Sequence, residues 1–555
     1  MSDQSNVVTG AQLLVESLQR EGADTIFTMP GGPIQEICRA AYQSGMRVVT
    51  VRHEQAAAFA AQAYSYMGDR IGVAVTVTGV GMTNAVTGLL NAKDNGWPFL
   101  LVSGAAMRRH WGRGAFQELR QVEMARPITK WAESVDRVER VPEHVSMAFR
   151  HMLSGRPGPA YLDMPEDIIR GKVDRQVPRW YDRGFRTDTR PFGDPAKVAV
   201  AAELLRLAKR PVMILGKGIR WAKAYEEVQE LAARDLPIVP MPMARGVVPD
   251  DDPMCMAGAR SSALLKADVI LCVAARFNWM LRTGVARVVN PEAKMIQIDV
   301  ESADIGLNRA VDVGIVGDAK PVLRQLLDAL GSAPLATRQS GWYEALAEER
   351  EKNRQRTQYL FDSDEIPVKP HRVFRELAEV MGRDAIVTVD GEVIMAVSRM
   401  TEMHHKPGQR LDTATQGCIG TGVPFAIGAQ LAQPKKRVFS INGDCAFGLN
   451  AFEMETAVRV NAPVIFVVLN NGGIGGRISE EHHFGPGWKG IWTFQPGIRY
   501  EKVMEAFGGH AEHVERPEEI RPALERALAS GRAACVHVAI DPFCSAIPGT
   551  VSDYI

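Results

Sequence analysis

The segments VFSINGDCAF at residues 438–447 and APVIFVVLNNGG at residues 462–473 decide the fold. Each begins with a strand-length run of β-branched and aromatic residues and ends on glycine, aspartate or asparagine. The runs are apolar on both faces, which is typical of strands that helices cover on each side. Because Ala-rich helical stretches alternate with such runs along most of the chain, the pattern predicts a parallel, doubly wound α/β sheet.

The same order of elements recurs upstream. Residues 73–78 form a predicted strand, Gly79-Val-Gly81 ends it, and a helical pattern follows over residues 83–93. The 555 residues are too many for one core and correspond to roughly three to four domains of about 150 residues. We therefore expect an α/β protein with three doubly wound parallel-sheet domains. The predicted domains and tail are residues 1–170, 198–331, 370–545 and 546–555.

Two segments interrupt the alternation. Residues 171–197 are rich in charge, proline and glycine, and residues 332–369 include the strongly charged run at 348–356. This run is predicted to be a solvated connecting helix. The glycine-rich segment at 473–484 is expected to be a loop.

Composition limits the function classes. The 65 Lys and Arg balance 65 Asp and Glu, so a nucleic-acid binder, which needs a basic excess, is not expected. Seven cysteines without C-x-x-C spacing indicate reduced thiols. The first residues lack the pattern of a signal peptide, and no run approaches the ~20 apolar residues of a membrane span. We expect a cytoplasmic protein without a membrane or nucleic-acid partner.

Polar residues that follow two predicted strands form the strongest candidate site. Asp444 and Asn471 lie 27 residues apart, each just after a strand. The carboxyl ends of neighbouring parallel strands meet at one edge of a sheet, and hard oxygen ligands there suit Mg²⁺. A helix amino terminus at this edge would accept phosphates. The alternative is that both segments are ordinary turns.

Gly443-Asp444 followed by Asn470-Asn471-Gly resembles the diphosphate motif of thiamine diphosphate enzymes. The family pattern begins with Gly-Asp-Gly, and Cys445 stands here in place of the third residue. The resemblance implies that Asp444, the Asn471 side chain and the Gly473 carbonyl hold Mg²⁺. It also implies cofactor contacts for Gly31, Thr78, Ile419, Gly443, Asp444, Cys445, Ala446, Asn471, Gly473 and Ile474.

The family also requires a glutamate just after a strand, which hydrogen-bonds the aminopyrimidine ring of the cofactor. Glu54 follows the predicted strand at residues 47–52 and matches that position. Taken alone, Glu54 would be a first-turn acid favoured by the helix dipole. In this family the active site forms between the first domain of one subunit and the third domain of another, which implies a homodimer at least and commonly a homotetramer.

The acyl-CoA branch of the family, which contains oxalyl-CoA decarboxylases and 2-hydroxyacyl-CoA lyases, is resembled by residues 91–98, 114–118, 410–415 and 504–509. The decarboxylases tend to have Tyr-Glu where this chain has Phe116-Gln117, and the lyases Phe-Gln. The resemblance thus implies reversible cleavage of a 2-hydroxyacyl-CoA to an aldehyde or ketone and formyl-CoA, through a carbanion on the cofactor. Gln117 and Gln495 are candidate catalytic residues, and Phe116, Lys406 and Arg410 candidate contacts of the acyl-CoA.

The central block contains a second candidate site. Residues 295–299 form a predicted strand that ends in an acid, where a nucleotide-binding fold often holds a ribose hydroxyl. The acyl-CoA branch binds ADP there as a regulatory ligand. The matching positions are Arg156, Lys217, Gly218, Arg276, Asp299 and Asp318.

Three other functions remain open. Two are enzymatic, namely decarboxylation of oxalyl-CoA and decarboxylation of a free 2-oxo acid. The third is a nucleotide-binding sensor that has kept the fold without catalysis.

Overall fold

The computed structural model describes residues 6–486 and 490–547. The chain divides into two compact units. The first comprises residues 1–188, 416–438 and 448–464, and the second comprises residues 189–415, 439–447 and 465–555.

The strands form three parallel sheets and one short antiparallel pair. In chain order they are β1 (Val7–Thr9), β2 (Thr25–Thr28), β3 (Arg47–Thr50), β4 (Val73–Thr76), β5 (Leu100–Ala105), β6 (Trp131–Ser134), β7 (Ala160–Pro165), β8 (Lys172–Asp174), β9 (Pro211–Leu215), β10 (Ile238–Pro240), β11 (Val269–Val273), β12 (Lys294–Asp299), β13 (Val313–Val316), β14 (Ile386–Asp390), β15 (Arg410–Asp412), β16 (Val438–Gly443), β17 (Ile465–Asn470), β18 (His510–Val514) and β19 (Ala534–Ala539).

The α-helices follow the strands in alternation over most of the chain. They are α1 (Gly10–Arg20), α2 (Gln35–Gln43), α3 (Glu54–Met67), α4 (Val80–Asn95), α5 (Gln121–Ala125), α6 (Val141–Leu153), α7 (Glu166–Arg170), α8 (Pro195–Leu207), α9 (Ile219–Ala222), α10 (Tyr225–Ala233), α11 (Arg260–Lys266), α12 (Ala319–Leu330), α13 (Trp342–Phe361), α14 (Pro370–Met381), α15 (Glu392–Met400), α16 (Gly422–Ala432), α17 (Asp444–Asn450), α18 (Glu453–Arg459), α19 (Gly476–Phe484), α20 (Tyr500–Ala506) and α21 (Ile520–Ala529).

The strand orders are those of doubly wound sheets. The first sheet has the order β3-β2-β4-β5-β7-β6, the second β10-β9-β11-β12-β13, and the third β15-β14-β16-β17-β19-β18. The strands β1 and β8 pair antiparallel. The three parallel sheets confirm the predicted fold class.

The third sheet positions Asp444 and Asn471, the candidate metal ligands. Its central strands β16 and β17 are parallel neighbours, with Gly443 paired to Leu469. Alternate residues of these strands, such as Ile441 and Val467, are fully buried in one apolar core. The two strands therefore end side by side, and the residues that follow them meet at one edge of the sheet.

In the first unit, the Ala-rich helix α3 is buried around most of its circumference. It packs on α16, where the rings of Phe59 and Phe425 meet edge to face at 5.7 Å. A Cβ on Gly428 would lie 2.2 Å from the Ala60 carbonyl oxygen, so only glycine permits this approach of the two backbones. Small residues on both helices thus fix the helix that begins with Glu54.

Some of the predicted helices and loops agree with the structure and others differ from it. The run at 348–356 lies within α13, as predicted. The helix expected at 83–93 is longer and extends from Val80 to Asn95. The loop expected at 473–484 was wrong for all but its first three residues, because helix α19 extends from Gly476 to Phe484. Across residues 6–486 and 490–547, no helix combines the length and the apolar character needed to span a membrane.

Candidate active site

The oxygens of Asp444 and its neighbours converge at the carboxyl edge of the third sheet. Asp444 begins α17 directly after β16, and Asn471 directly follows β17. One terminal atom of the Asn471 amide lies 3.0 Å from both Asp444 Oδ1 and the Gly473 carbonyl oxygen, and its other terminal atom lies 3.2 Å from the Gly476 nitrogen. The three residues that the sequence predicts as metal ligands are therefore brought together.

This arrangement fits an octahedral divalent cation. Neighbouring ligands about 2.1 Å from Mg²⁺ lie about 3 Å apart, which is the spacing found here. The Asn471 amino group donates to both oxygens, and a bound cation would instead be faced by the oxygen of this amide. Asp444 Oδ2 is buried and has no hydrogen-bond partner among the described residues, and burial raises the pKa of this carboxyl to about 7. A cation would supply the missing countercharge.

The segment after α19 supports the loop of residues 471–473, which carries two of the candidate metal ligands and is named the metal loop for that reason. The Ile474 and Phe494 N–H groups donate to the carbonyl oxygens of Trp492 and Gly472, each over 2.8 Å. Buried Glu480 accepts hydrogen bonds from the Ile491 and Trp492 N–H groups. Gln495, which the sequence analysis selects as catalytic, follows this paired segment directly and is exposed.

Gly391 belongs to the same sheet edge and was not selected from the sequence. It follows β14, the neighbour of β16, and has a φ of +99°. A Cβ at this position would lie 3.1 Å from the Gly443 nitrogen, so glycine keeps the two strand ends close together. The signal in the sequence was the pair Asp390-Gly391 at the end of an apolar strand. With the first turns of α15 and α17, this edge offers backbone N–H groups suited to a diphosphate.

Glu54 lies in the first turn of α3 and is 7 % exposed. Its Oε2 accepts a hydrogen bond from Asn84 Nδ2 over 2.9 Å. The absence of a side chain at Gly81 leaves space beside Oε1, since a Cβ there would lie 3.2 Å away. Neither Asn84 nor Gly81 was assigned a role toward Glu54 from the sequence, because both contacts depend on how α4 packs beside α3.

Glu453 on α18 holds the backbone that precedes Glu54. Its Oε1 accepts the N–H groups of Arg52 and His53 at 2.9 and 3.2 Å, and its Oε2 accepts Thr456 Oγ1–H at 2.6 Å. Burial raises the pKa of the Glu453 carboxyl. This clamp, like the contact with Asn84, orients the catalytic glutamate proposed from the sequence.

The loop between β4 and α4 brings Gln117 beside Gly79. Thr78 in this loop is buried, and Gly79 has φ +58° and ψ −95°, a conformation open only to glycine. A Cβ on Gly79 would lie 2.3 Å from the Gln117 carbonyl oxygen. Gln117 itself has a φ of +58°, and its Oε1 is buried with no hydrogen-bond partner in the part of the chain that the structure describes. Phe116, next to it, is exposed.

A buried polar network holds the loop between β4 and α4 in place. Gln121 accepts the Gly79 N–H at 2.6 Å and donates to the Gly104 carbonyl and to Asp163 Oδ1 at 2.9 and 2.5 Å. The Tyr161 hydroxyl also donates to Asp163 Oδ1, over 2.8 Å. Burial raises the pKa of the Asp163 carboxyl to about 6. The network ties together the ends of β4, β5 and β7.

Three family models match the chain in succession. The N-terminal TPP binding domain of thiamine pyrophosphate enzymes matches residues 8–124, the central domain residues 198–326, and the C-terminal TPP binding domain residues 358–538. The chain belongs to the thiamine pyrophosphate (thiamine diphosphate) enzymes. This result confirms the resemblance and, of the predicted cofactors, thiamine diphosphate.

Relatives from several organisms share this family. Human 2-hydroxyacyl-CoA lyase 1 is 34% identical over 96% of this chain and 95% of its own length. Oxalyl-CoA decarboxylase of Escherichia coli K12 is 32% identical over 100% of this chain and 98% of its own length. The acetolactate synthase large subunit of Mycobacterium tuberculosis is 35% identical over 96% of this chain and 95% of its own length. As a thiamine diphosphate enzyme with lyase-named relatives, this chain is a thiamine diphosphate-dependent carbon–carbon lyase.

In this family member, most predicted ADP contacts follow strands of the second sheet. Lys217 and Gly218 follow β9, Arg276 follows β11, Asp299 ends β12 and Asp318 follows β13. Lys217 Nζ donates to Thr415 Oγ1 at 3.1 Å, and Asp318 accepts the Lys320 N–H at 2.9 Å. The placement is that of ligand sites in open parallel sheets. Arg156 lies in the first unit, beside the Asp94 carbonyl.

Other predicted residues lie in different surroundings. Ile419 is 40% exposed in the turn before Gly420, and Gly31 begins the turn before α2. Lys406 is exposed and pairs with Asp384 at 3.0 Å. Arg410 is not a surface residue, because its guanidinium is completely buried beside Asp412. In the predicted tail, residues 548–555 lie outside the described residues.

Proposed function

We propose that this enzyme is a 2-hydroxyacyl-CoA lyase, which reversibly cleaves a 2-hydroxyacyl-CoA to an aldehyde or ketone and formyl-CoA. The lyases of human and Arabidopsis thaliana, each 34% identical to this chain, support the reaction class. Decarboxylation of oxalyl-CoA is the competing reaction, since the E. coli decarboxylase also aligns over the whole chain.

The side-chain oxygen of Gln117 carries the proposal. This buried oxygen has no donor within the described residues, so it calls for a donor from a bound molecule. A 2-hydroxyacyl thioester offers its hydroxyl, whereas the oxalyl group offers only acceptor oxygens. As a neutral amide, Gln117 cannot take the proton away, and its role is to orient the hydroxyl that becomes the carbonyl of the product.

The cofactor residues have distinct proposed roles. Asp444, Asn471 and Gly473 would hold Mg²⁺, and the backbone from Gly443 to Ala446 would lie against the diphosphate, with Ile474 as a further contact. Bound thiamine diphosphate supplies the nucleophilic carbon and the electron sink of the reaction. Glu54, kept in place by Asn84 and Glu453, would hold and return the proton of the aminopyrimidine ring. Gly31, Thr78 and Ile419 remain proposed cofactor contacts.

The remaining residues concern the substrate and the regulatory ligand. Phe116, Gln495 and Lys406 are proposed contacts of the acyl-CoA, and Arg410 would need to act from within the core. We also propose an ADP site at Lys217, Gly218, Arg276, Asp299 and Asp318, with Arg156 as a further contact.

The assembly proposed is a homodimer at least, and a homotetramer by family likeness. Seven free cysteines favour a reducing compartment such as the cytoplasm.

A product assay tests the reaction. The protein is supplied with thiamine diphosphate, Mg²⁺ and either a 2-hydroxyacyl-CoA or oxalyl-CoA, and formyl-CoA, aldehyde and CO₂ are measured. The lyase gives aldehyde and formyl-CoA in equal amounts from the first substrate. CO₂ from oxalyl-CoA, with no aldehyde from any 2-hydroxyacyl-CoA, contradicts the proposal.

The variant Gln117→Leu, which removes both amide groups but keeps similar bulk, is expected to raise KM and lower kcat with 2-hydroxyacyl-CoA.

A further inference from the structure

A buried polar cluster lies beside the metal loop in the third sheet. It consists of Glu501 at the start of α20, His513 on β18 and His537 on β19. His537 and Glu501 are almost fully buried. The His537 Nδ1 lies 2.7 Å from Glu501 Oε2 and 3.3 Å from His513 Nδ1. None of these residues belongs to the diphosphate motif.

The cluster reaches the metal loop through Asn470, the last residue of β17. The Asn470 Oδ1 accepts the Gly472 N–H over 2.9 Å, so the amino group of the same amide points the other way. That amino group lies 3.0 Å from His537 Nε2. Gly472 has a φ of +80° and stands between Asn471 and Gly473, the two loop residues that would bind Mg²⁺. Asn470 thus bridges His537 and the turn of the metal loop.

These contacts fix where the His537 proton lies. Because the Asn470 amino group donates to Nε2, this nitrogen is the acceptor, and the ring carries its proton on Nδ1. The Nδ1–H then donates to Glu501, whose other oxygen accepts Arg499 Nε–H at 2.6 Å. Burial lowers the pKa of His537, which therefore stays neutral. Burial opposes the charge on Glu501, but hydrogen bonds from His537 and Arg499 outweigh it and lower the pKa.

A metal ion is the other possible occupant of this cluster. The donor atoms of Glu501, His513 and His537 all lie within 4.8 Å of one another. Metal binding at His537 Nδ1 would move the ring proton to Nε2, where it would face the amino group of Asn470. To avoid the contact between these two donors, the Asn470 amide would have to turn, and its oxygen would then no longer accept the Gly472 N–H. The hydrogen bonds therefore favour a proton over a metal ion.

We propose that His537, oriented by Glu501, is a positioning residue that holds Asn470 and thereby the conformation of the Mg²⁺-binding loop at Asn471–Gly473. The inference rests on the proposed metal site. His537 would touch neither the cofactor nor the substrate. Its loss should weaken the binding of Mg²⁺ with thiamine diphosphate, whereas turnover at saturating cofactor should change little.

The test is a Mg²⁺ titration of the full chain at saturating thiamine diphosphate. Circular dichroism of the bound cofactor monitors the titration. His537→Phe removes the acceptor for Asn470 and should raise the half-saturating Mg²⁺ concentration about 10–100-fold, as loss of an outer-shell partner does. His537→Gln keeps an acceptor and should restore most of the affinity. His513→Phe is the size-matched control, because His513 does not contact Asn470, and should behave as the wild type.

A double variant separates this role from a general loss of structure. If His537 acts through Asn470, the variant Asn470→Ala combined with His537→Phe should bind Mg²⁺ no more weakly than the worse single variant. Additive losses, or an unchanged titration for His537→Phe, overturn the inference. The inference is also overturned if the purified protein contains zinc and if both His513→Phe and His537→Phe remove that zinc, because the cluster is then a metal site.

The variant Asp444→Ala distinguishes the two proposals. If it abolishes the Mg²⁺ response while His537→Phe leaves it unchanged, the metal site stands and only the role of His537 fails. If Asp444→Ala leaves the response intact, the proposed metal site is wrong, and the inference about His537 fails with it.

Discussion

The Asn471 side chain places one terminal atom 3.0 Å from Oδ1 of Asp444. This distance equals the separation of adjacent ligands around Mg²⁺. Asn471→Leu should therefore weaken Mg²⁺-dependent binding of thiamine diphosphate by more than the roughly 10–100-fold that loss of an outer-shell partner costs. Asn471→Asp keeps a hard oxygen and should retain binding. Isothermal titration of each variant measures the effect, and equal affinities for the Leu and Asp variants would contradict this role.

The buried carboxyl of Glu54 leads to a second prediction. Glu54→Gln preserves size and can still accept the hydrogen bond from Asn84, but it cannot exchange a proton. We expect kcat to fall about 10²–10⁴-fold while the dissociation constant of thiamine diphosphate changes little. Glu36→Gln is the matched control, because Glu36 lies in the first turn of α2 at the surface. Steady-state kinetics and cofactor titration check this, and turnover by Glu54→Gln at the wild-type rate would rule out the proposed role.

Burial of Asp163 predicts how stability depends on pH. Its pKa is raised from 3.8 to about 6, so the folded chain binds this proton more tightly than the unfolded chain. Its contribution to stability is then greatest below pH 4 and is lost as pH rises through about 6, by about 3 kcal/mol in all. Asp163→Asn cannot ionise. The Tm of the wild type should fall relative to that of this variant between pH 4 and 7, and a constant difference would refute the assignment.

The clamp that Glu453 forms on the backbone before Glu54 leads to a fourth prediction. Glu453→Leu leaves the N–H groups of Arg52 and His53 without their acceptor, at a cost of about 1–3 kcal/mol each. Tm and kcat should both fall, since the first turn of α3 loses its support. Glu453→Gln keeps an acceptor oxygen and should lie closer to the wild type. If the Leu and Gln variants are equally active and stable, the clamp does not position Glu54.

Much of the sheet architecture could be predicted because short-range patterns carry it. The strands expected near residues 73–78, 438–442 and 462–469 appear as β4, β16 and β17. The helix α19 was missed, because the glycines at 472, 473, 475 and 476 suggested a loop. Arg410, a candidate acyl-CoA contact, is buried beside Asp412, since charge alone does not reveal which face of β15 is covered.

The supporting residues of the candidate site could not be predicted. Glu453 lies some 400 residues after Arg52 and His53, and His537 lies 67 residues after Asn470. Such partners carry no local signal, since each is an ordinary acid or histidine until the chain folds. Gln121 and Asp163 belong to the same class, because they come from α5 and β7 and meet only below Gly79.

Strand periodicity and the residues after each strand are local properties of the chain, and they indicated the fold class and paired Asp444 with Asn471. The cofactor family was implied by the resemblance of the motif at these two residues. The tertiary structure alone places Asp444, Asn471 and Gly473 at the spacing of metal ligands and buries a Gln117 oxygen that has no partner among the described residues. It also places His537 against Asn470, and Glu453 against the backbone before Glu54. These features depend on side-chain packing and on hydrogen bonds between distant segments, and their geometry exists only once the sheets and helices have come together.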